Sequence, residues 1–187
     1  GTGDLTQSVA MFVPGLTKRA RSLCSGTARV RATMRGQAGA DLRIDDIDVT
    51  TRSALLQLTA SGSISLVPAR QRGSLPSTRF EVLAETEQLD ELVGLYRGQV
   101  PFEASAQARG VLTGSLGNFR VDDVVISASG EHGSLSANGY LERLGGTTKP
   151  WIEFTVKAET QKLGDFAKSY GIKFPYTGTG SAVGEIR

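Results

Sequence analysis

The sequence predicts an α+β chain, mainly antiparallel β, in which tandem units form one curved open sheet and each unit carries a short amphipathic helix. Three observations predict it. The chain repeats itself with a period of about 75 residues. Most of its segments alternate apolar and polar residues, and one segment per unit switches to helical spacing. Residues 42–67 align without gaps on 119–144, so Arg43, Asp45 and Asp46 match Arg120, Asp122 and Asp123. In the same stretch Leu58, Ala60 and Gly62 match Leu135, Ala137 and Gly139. The linker 68–79 is three residues longer than its counterpart 145–153, after which 80–110 aligns on 154–184. There Phe80, Val82, Ala84, Thr86, Leu89 and Pro101 recur as Phe154, Val156, Ala158, Thr160, Leu163 and Pro175. Units of this kind bury apolar surface by stacking on their neighbours. Function is then expected along a surface rather than at one constellation.

The elements follow in order. Ala28, Val30, Ala32 and Met34 alternate with Arg29, Arg31, Thr33 and Arg35, the period of a half-buried strand. Gly36 to Gly39 punctuates it. Leu42 and Ile44 share one face of the next strand; Asp45-Asp46 interrupts the alternation, and Ile47 and Val49 resume it. Leu56, Leu58, Ala60, Gly62 and Ile64 make a third strand, and Phe80, Val82 and Ala84 a fourth. Gly62 and Gly139 lie inside strand pattern, where glycine marks a bulge, a bend or a close backbone approach. Leu89, Leu92, Val93 and Tyr96 then fall at i, i+3, i+4 and i+7, the stripe of a helix of about three turns. Thr86 and Thr160 stand where an N-cap belongs, and Pro101 and Pro175 lie where the helix cannot continue.

Thr2, Leu5, Val9 and Phe12 fall on the pattern of Thr86, Leu89, Val93 and Tyr96. The expected division is therefore 1–25 as the end of a preceding unit, 26–101 as a complete unit, and 102–187 as a second, nearly complete one. All belong to one continuous domain, read as a piece of a longer protein.

Composition is that of an ordinary globular chain, 39% hydrophobic and 21% charged. No run approaches the roughly 20 apolar residues of a membrane span. A net charge of +2 argues against a nucleic-acid partner. Lys18, Arg19, Arg21, Arg29, Arg31 and Arg35 do crowd the first part of the chain, which reads first as a solvated strand face and second as a surface for an anionic partner. The single Cys24 offers no disulfide within the chain and no metal cluster.

Residues with chemistry to offer do not assemble into a site. His132, the only histidine, aligns on Leu55 and has no repeated role. Cys24 has no neighbouring base. Asp45-Asp46 and Asp122-Asp123 are adjacent residues, whereas a hard cation needs six to eight converging oxygens. Gly114 to Gly117 and Gly178 to Gly180 lack the context and the lysine of a phosphate loop and read as hairpin turns. The expectation is no enzyme, no catalytic residue, no metal and no cofactor.

The stretches 112–144 (LTGSLGNFRVDDVVISASGEHGSLSANGYLERL) and 151–184 (WIEFTVKAETQKLGDFAKSYGIKFPYTGTGSAVG) carry a recurring grammar. A G-x-L strand leads to an acidic turn and a small-residue strand. An aromatic strand, an L-x-x-[LF] segment and a proline follow. This grammar resembles the AsmA family of bacterial envelope proteins, related to TamB and to bridge-like lipid-transfer proteins. The resemblance implies a β-groove, or β-taco, in a periplasmic protein anchored to the inner membrane of a Gram-negative bacterium. It implies carriage of phospholipid or another acyl-chain lipid between inner and outer membranes. The lipid-groove candidates are Phe80, Val82, Ala84, Phe119, Val121, Leu135, Ala137, Ile152, Phe154 and Val156. The alternation by itself favours ordinary packing of that face; the repeat and the resemblance together favour a groove. The alternative function is a structural or assembly module of the envelope that binds an outer-membrane or other envelope protein through an edge strand or surface contact.

Overall fold

The structure, a computed structural model, describes residues 2–4, 26–36, 42–66, 77–94, 103–115, 118–144, 149–169, 171–173 and 175–187. The strands are β1 (Thr2–Asp4), β2 (Gly26–Gly36), β3 (Leu42–Ser53), β4 (Gln57–Leu66), β5 (Ser77–Thr86), β6 (Ala104–Ser115), β7 (Asn118–Gly130), β8 (Gly133–Leu144), β9 (Trp151–Thr160) and β10 (Gly180–Ile186). Their order in space is their order in sequence, and every neighbouring pair is antiparallel, so the ten form a single open sheet. Helix α1 (Leu89–Gly94) joins β5 to β6, and α2 (Leu163–Ser169) joins β9 to β10.

Local chemistry accounts for the connections. Ser53 closes the β3–β4 turn: its hydroxyl accepts the Leu56 amide at 2.9 Å, and its own amide donates to the Leu56 carbonyl at 2.9 Å. The β6–β7 connection pairs Ser115 with Asn118, as the glycine pattern there predicts. Gly178, by contrast, lies in the loop before β10 rather than in a hairpin, and its carbonyl accepts the amide of Leu163 at 2.8 Å.

The two aspartate pairs are bulges. Across β3 and β4 the register passes from Ile44–Ile64 to Ile47–Gly62, and across β7 and β8 from Val121–Leu141 to Val124–Gly139. Asp46 and Asp123 each have φ of 52°. That left-handed conformation is costly for most residues and comparatively cheap for Asp and Asn. The bulge keeps Ile44 and Ile47 on one face although they are three residues apart, and it does the same for Val121 and Val124. Without it the second half of each strand would turn its apolar residues to the other side.

Gly62 faces Phe80 and Gly139 faces Phe154. A Cβ on Gly139 would collide with the Glu153 carbonyl oxygen and stand 2.8 Å from the Phe154 Cα; one on Gly62 would collide with the Arg79 carbonyl in the same way. Only glycine permits these close approaches.

The helices differ from expectation in two respects. Helix α2 spans seven residues, about two turns, and ends before Gly171, whose φ is 73°. The continuation of α1 towards Tyr96 lies outside the described residues. Thr86 and Thr160 are not N-caps of the helices. Each hydroxyl accepts an amide two residues on, Gln88 and Lys162 respectively, at 3.1 Å. These are turns that precede the first helical residue, and both threonines are buried.

No second layer covers the sheet among the described residues. The buried apolar side chains there are mostly small, such as Ala28, Ala104, Val124 and Ala137, and no side chain is completely withdrawn from solvent. Most positions of the sheet are half-buried or exposed rather than buried.

Candidate functional site

Residues paired directly across an antiparallel sheet share a face, so the registers sort every strand into two sides. Starting from β9, Ile152 pairs with Leu141, Phe154 with Gly139, Val156 with Ala137 and Ala158 with Leu135. Through β7 the same side continues as Ala128, Ile126, Val124, Val121 and Phe119. Through β6 it continues as Ala106, Ala108 and Leu112. In β5 it is Phe80, Val82 and Ala84, and in β4 Leu58, Ala60, Gly62 and Ile64. It reaches β3 as Ile44, Ile47 and Val49, β2 as Val30 and Met34, and β10 as Ala182 and Ile186.

All ten sequence-derived candidates lie on this one face: Phe80, Val82, Ala84, Phe119, Val121, Leu135, Ala137, Ile152, Phe154 and Val156. Of these only Ala137 is buried; Leu135 and Ile152 are exposed and the rest are half-buried. The face also includes Ile47, Val49, Leu58, Leu112, Val124 and Ile126, which the candidate set leaves out although the same alternation marks them. Met34, 67% exposed, lies on it towards the β1 edge. Leu163 of α2 lies beside Gly180 of β10, where a Cβ would stand 2.9 Å from its side chain, and Ala167 of the same helix is buried.

The opposite face is polar. Arg29, Arg31, Thr33 and Arg35 of β2 lie on it, as do Arg43 and Asp48 of β3. Further along are the serines of β4, β7 and β8. Arg43 pairs with Asp45 at 2.5 Å, Lys157 with Glu159 at 2.6 Å, and Arg120 with both Asp122 and Glu142. The Arg120 guanidinium also lies 5.0 Å from the centre of the Tyr140 ring. Its carboxylate partners, Asp122 first, raise its pKa above the ordinary value. Tyr140 donates its hydroxyl to Glu153 at 2.9 Å, and that bond raises the phenol's pKa, with desolvation adding to it.

Three concavities lie mainly along this polar side. The largest, about 890 Å³, runs over Gln57, Glu85, Gln107, Ser127, Ser136 and Lys157. The second, about 770 Å³, includes Leu83, Arg109, Val111 and Val125, and the third, about 680 Å³, includes Arg35, Arg43, Asp45 and Arg79. Their linings also reach the apolar side, with Ala106, Ala128 and Leu135 in the first and Val49, Ala60 and Val82 in the second.

The remaining candidates for chemistry stay dispersed. His132 sits in the β7–β8 turn, half-buried, where its carbonyl accepts the Thr160 hydroxyl. Cys24 lies outside the described residues. Among the described residues no group of three or more His, Cys, Asp or Glu could hold a metal ion. No helix among them is long and apolar enough to cross a membrane. No family model, curated protein or solved structure matches the chain.

Proposed function

We propose that the chain is a lipid-bearing segment of an AsmA-like protein of the bacterial periplasm, its units continuing one groove along which phospholipid passes between inner and outer membranes. The observation that carries this reading is the unbroken apolar side running from β2 to β10 with no layer over it among the described residues. An apolar face of that extent is unfavourable in water and calls for an apolar occupant. An acyl chain suits it because it needs no specific partner: about ten buried methylenes contribute about 8 kcal/mol. Ala60, Ala84, Ala108, Ala137 and the close-packed Gly62 and Gly139 keep parts of that surface low, which leaves room for hydrocarbon. The chemistry asks for no catalytic group and no cofactor.

The test is native mass spectrometry of the chain purified without detergent from a Gram-negative host, followed by organic extraction. Co-purifying phospholipid is expected. A lipid-free protein that also fails to take up phospholipid from vesicles would overturn the reading. The alternative, a structural or assembly module, is favoured by β10, which among the described residues pairs only with β9 and so offers an edge for a partner strand.

A further inference from the structure

One region of the polar face is unlike the rest of it. β8 and β9 set Tyr140 opposite Glu153 and Glu142 opposite Trp151. At the corresponding register positions of β4 and β5, Ser63 faces Arg79 and Ser65 faces Ser77. The same strand pairing therefore forms without the aromatic and acidic side chains, and pairing does not explain them. Trp151 is the only tryptophan of the chain and is 46% exposed. Glu142 stands directly across from it, and Glu153 two residues along on the same face. An exposed indole bracketed by two carboxylates suits a guanidinium, which stacks on the ring while its N–H groups reach the oxygens. The adjoining aromatic already does this within the chain: Arg120 lies over Tyr140 and bonds Glu142 at 2.6 Å.

We propose that Trp151, Glu142 and Glu153 form a receptor for a second guanidinium, supplied by the arginine row of β2 in a second copy of this chain. Arg29 and Arg31 are exposed, and among the described residues neither takes part in an ion pair. The two rows lie in regions of opposite charge. Strand β2 (26–36) holds three Arg and no acidic side chain, whereas residues 118–160 hold four basic against six acidic side chains. Residues two apart on a strand lie about 6.6 Å apart, so the Arg29–Arg31 row has the spacing of the Trp151–Glu153 row. Because each copy carries both row and receptor, two copies related by a two-fold axis make the contact twice. The inference concerns the polar face and is independent of what occupies the apolar one.

The test is sedimentation equilibrium across a range of ionic strength, with Trp151 fluorescence read on the same samples. Self-association that shifts the Trp151 emission and weakens at least about tenfold from low to high salt is expected. W151A and the double variant R29E/R31E should each weaken it by about tenfold or more, while keeping the circular dichroism of the parent chain. Mixing the two variants should restore a heterodimer, since one retains the arginine row and the other the receptor. A chain that stays monomeric throughout overturns the proposal, as does a dimer that persists unchanged in R29E/R31E. Quenching of Trp151 by an arginine-rich peptide while the chain itself remains monomeric overturns the second copy as the occupant.

Discussion

The two faces of the sheet share one backbone yet obey different rules. On the apolar side, Phe80, Val82, Phe154 and Val156 recur in register with Gly62, Ala60, Gly139 and Ala137, and little stands above them among the described residues. On the polar side, charged groups pair with one another, as Arg43 does with Asp45 and Lys157 with Glu159, and concavities lie between their rows. In a sandwich the apolar face would be the core and would supply most of the stability. In this single layer, stability has to come from strand pairing, from close contacts within the layer, and from whatever lies on the open face. Substitutions at apolar positions should therefore divide by backbone contact rather than by hydrophobicity.

The largest effect is expected where the layer is tightest. Gly139→Val drives a side chain into the β9 backbone and should cost more than about 3 kcal/mol or prevent folding. Gly184→Val on the same face, where a Cβ meets nothing within 4 Å, should change stability by less than about 0.5 kcal/mol. Thermal melting of the two variants checks the contrast, and equal effects would break the division. Next comes Val156→Glu. On an open surface the carboxylate stays hydrated, so the loss should remain below about 2 kcal/mol while bound phospholipid falls at least about tenfold. In a packed core the same change would cost several kcal/mol and unfold a domain whose total stability is about 5–15 kcal/mol.

Smaller effects come from the margins and from the polar side. Thr160→Val removes a buried hydroxyl that donates to the His132 carbonyl and accepts from the Lys162 amide, and should cost about 1–2 kcal/mol by chemical denaturation. Asp123→Gly relieves a left-handed residue at the bulge and should be neutral or stabilise by up to about 1 kcal/mol, whereas Asp123→Val should destabilise. On the polar face, Tyr140 should titrate above the ordinary tyrosine range, and Glu153→Gln should lower that pKa. Because the folded state holds this proton more tightly, the contribution is present below pH 10 and is lost as the pH rises through the folded value. Ultraviolet titration of the phenolate gives the readout.

Much of the layer was legible in the sequence, for a physical reason. Period-two alternation in a single sheet leads directly to its two sides, so the positions from Phe80 to Val156 could be assigned to one face without coordinates. The interruptions at Asp45-Asp46 and Asp122-Asp123 were legible as breaks in the alternation, and their φ values explain why aspartate stands there. The length of α2 was not legible: the spacing predicts about three turns, and the helix spans the seven residues Leu163–Ser169. The role of Thr86 and Thr160 was misplaced by two residues, since a hydroxyl serves a turn as readily as a cap. The concavities along the polar side depend on the relation of many strands and leave no local signal. Trp151 and Tyr140 did leave one: a comparison of Ser63, Ser65, Ser77 and Arg79 with their counterparts singles out this patch.

The most direct test places a photoreactive residue at position 156, in the middle of the apolar side, and illuminates cells producing the chain. Mass spectrometry of the purified product should find phospholipid adducts at that position, and none when the same residue replaces Lys157 on the polar side. Adducts to protein alone at position 156, with no lipid recovered at either site, would contradict the claim that the open face is a lipid surface.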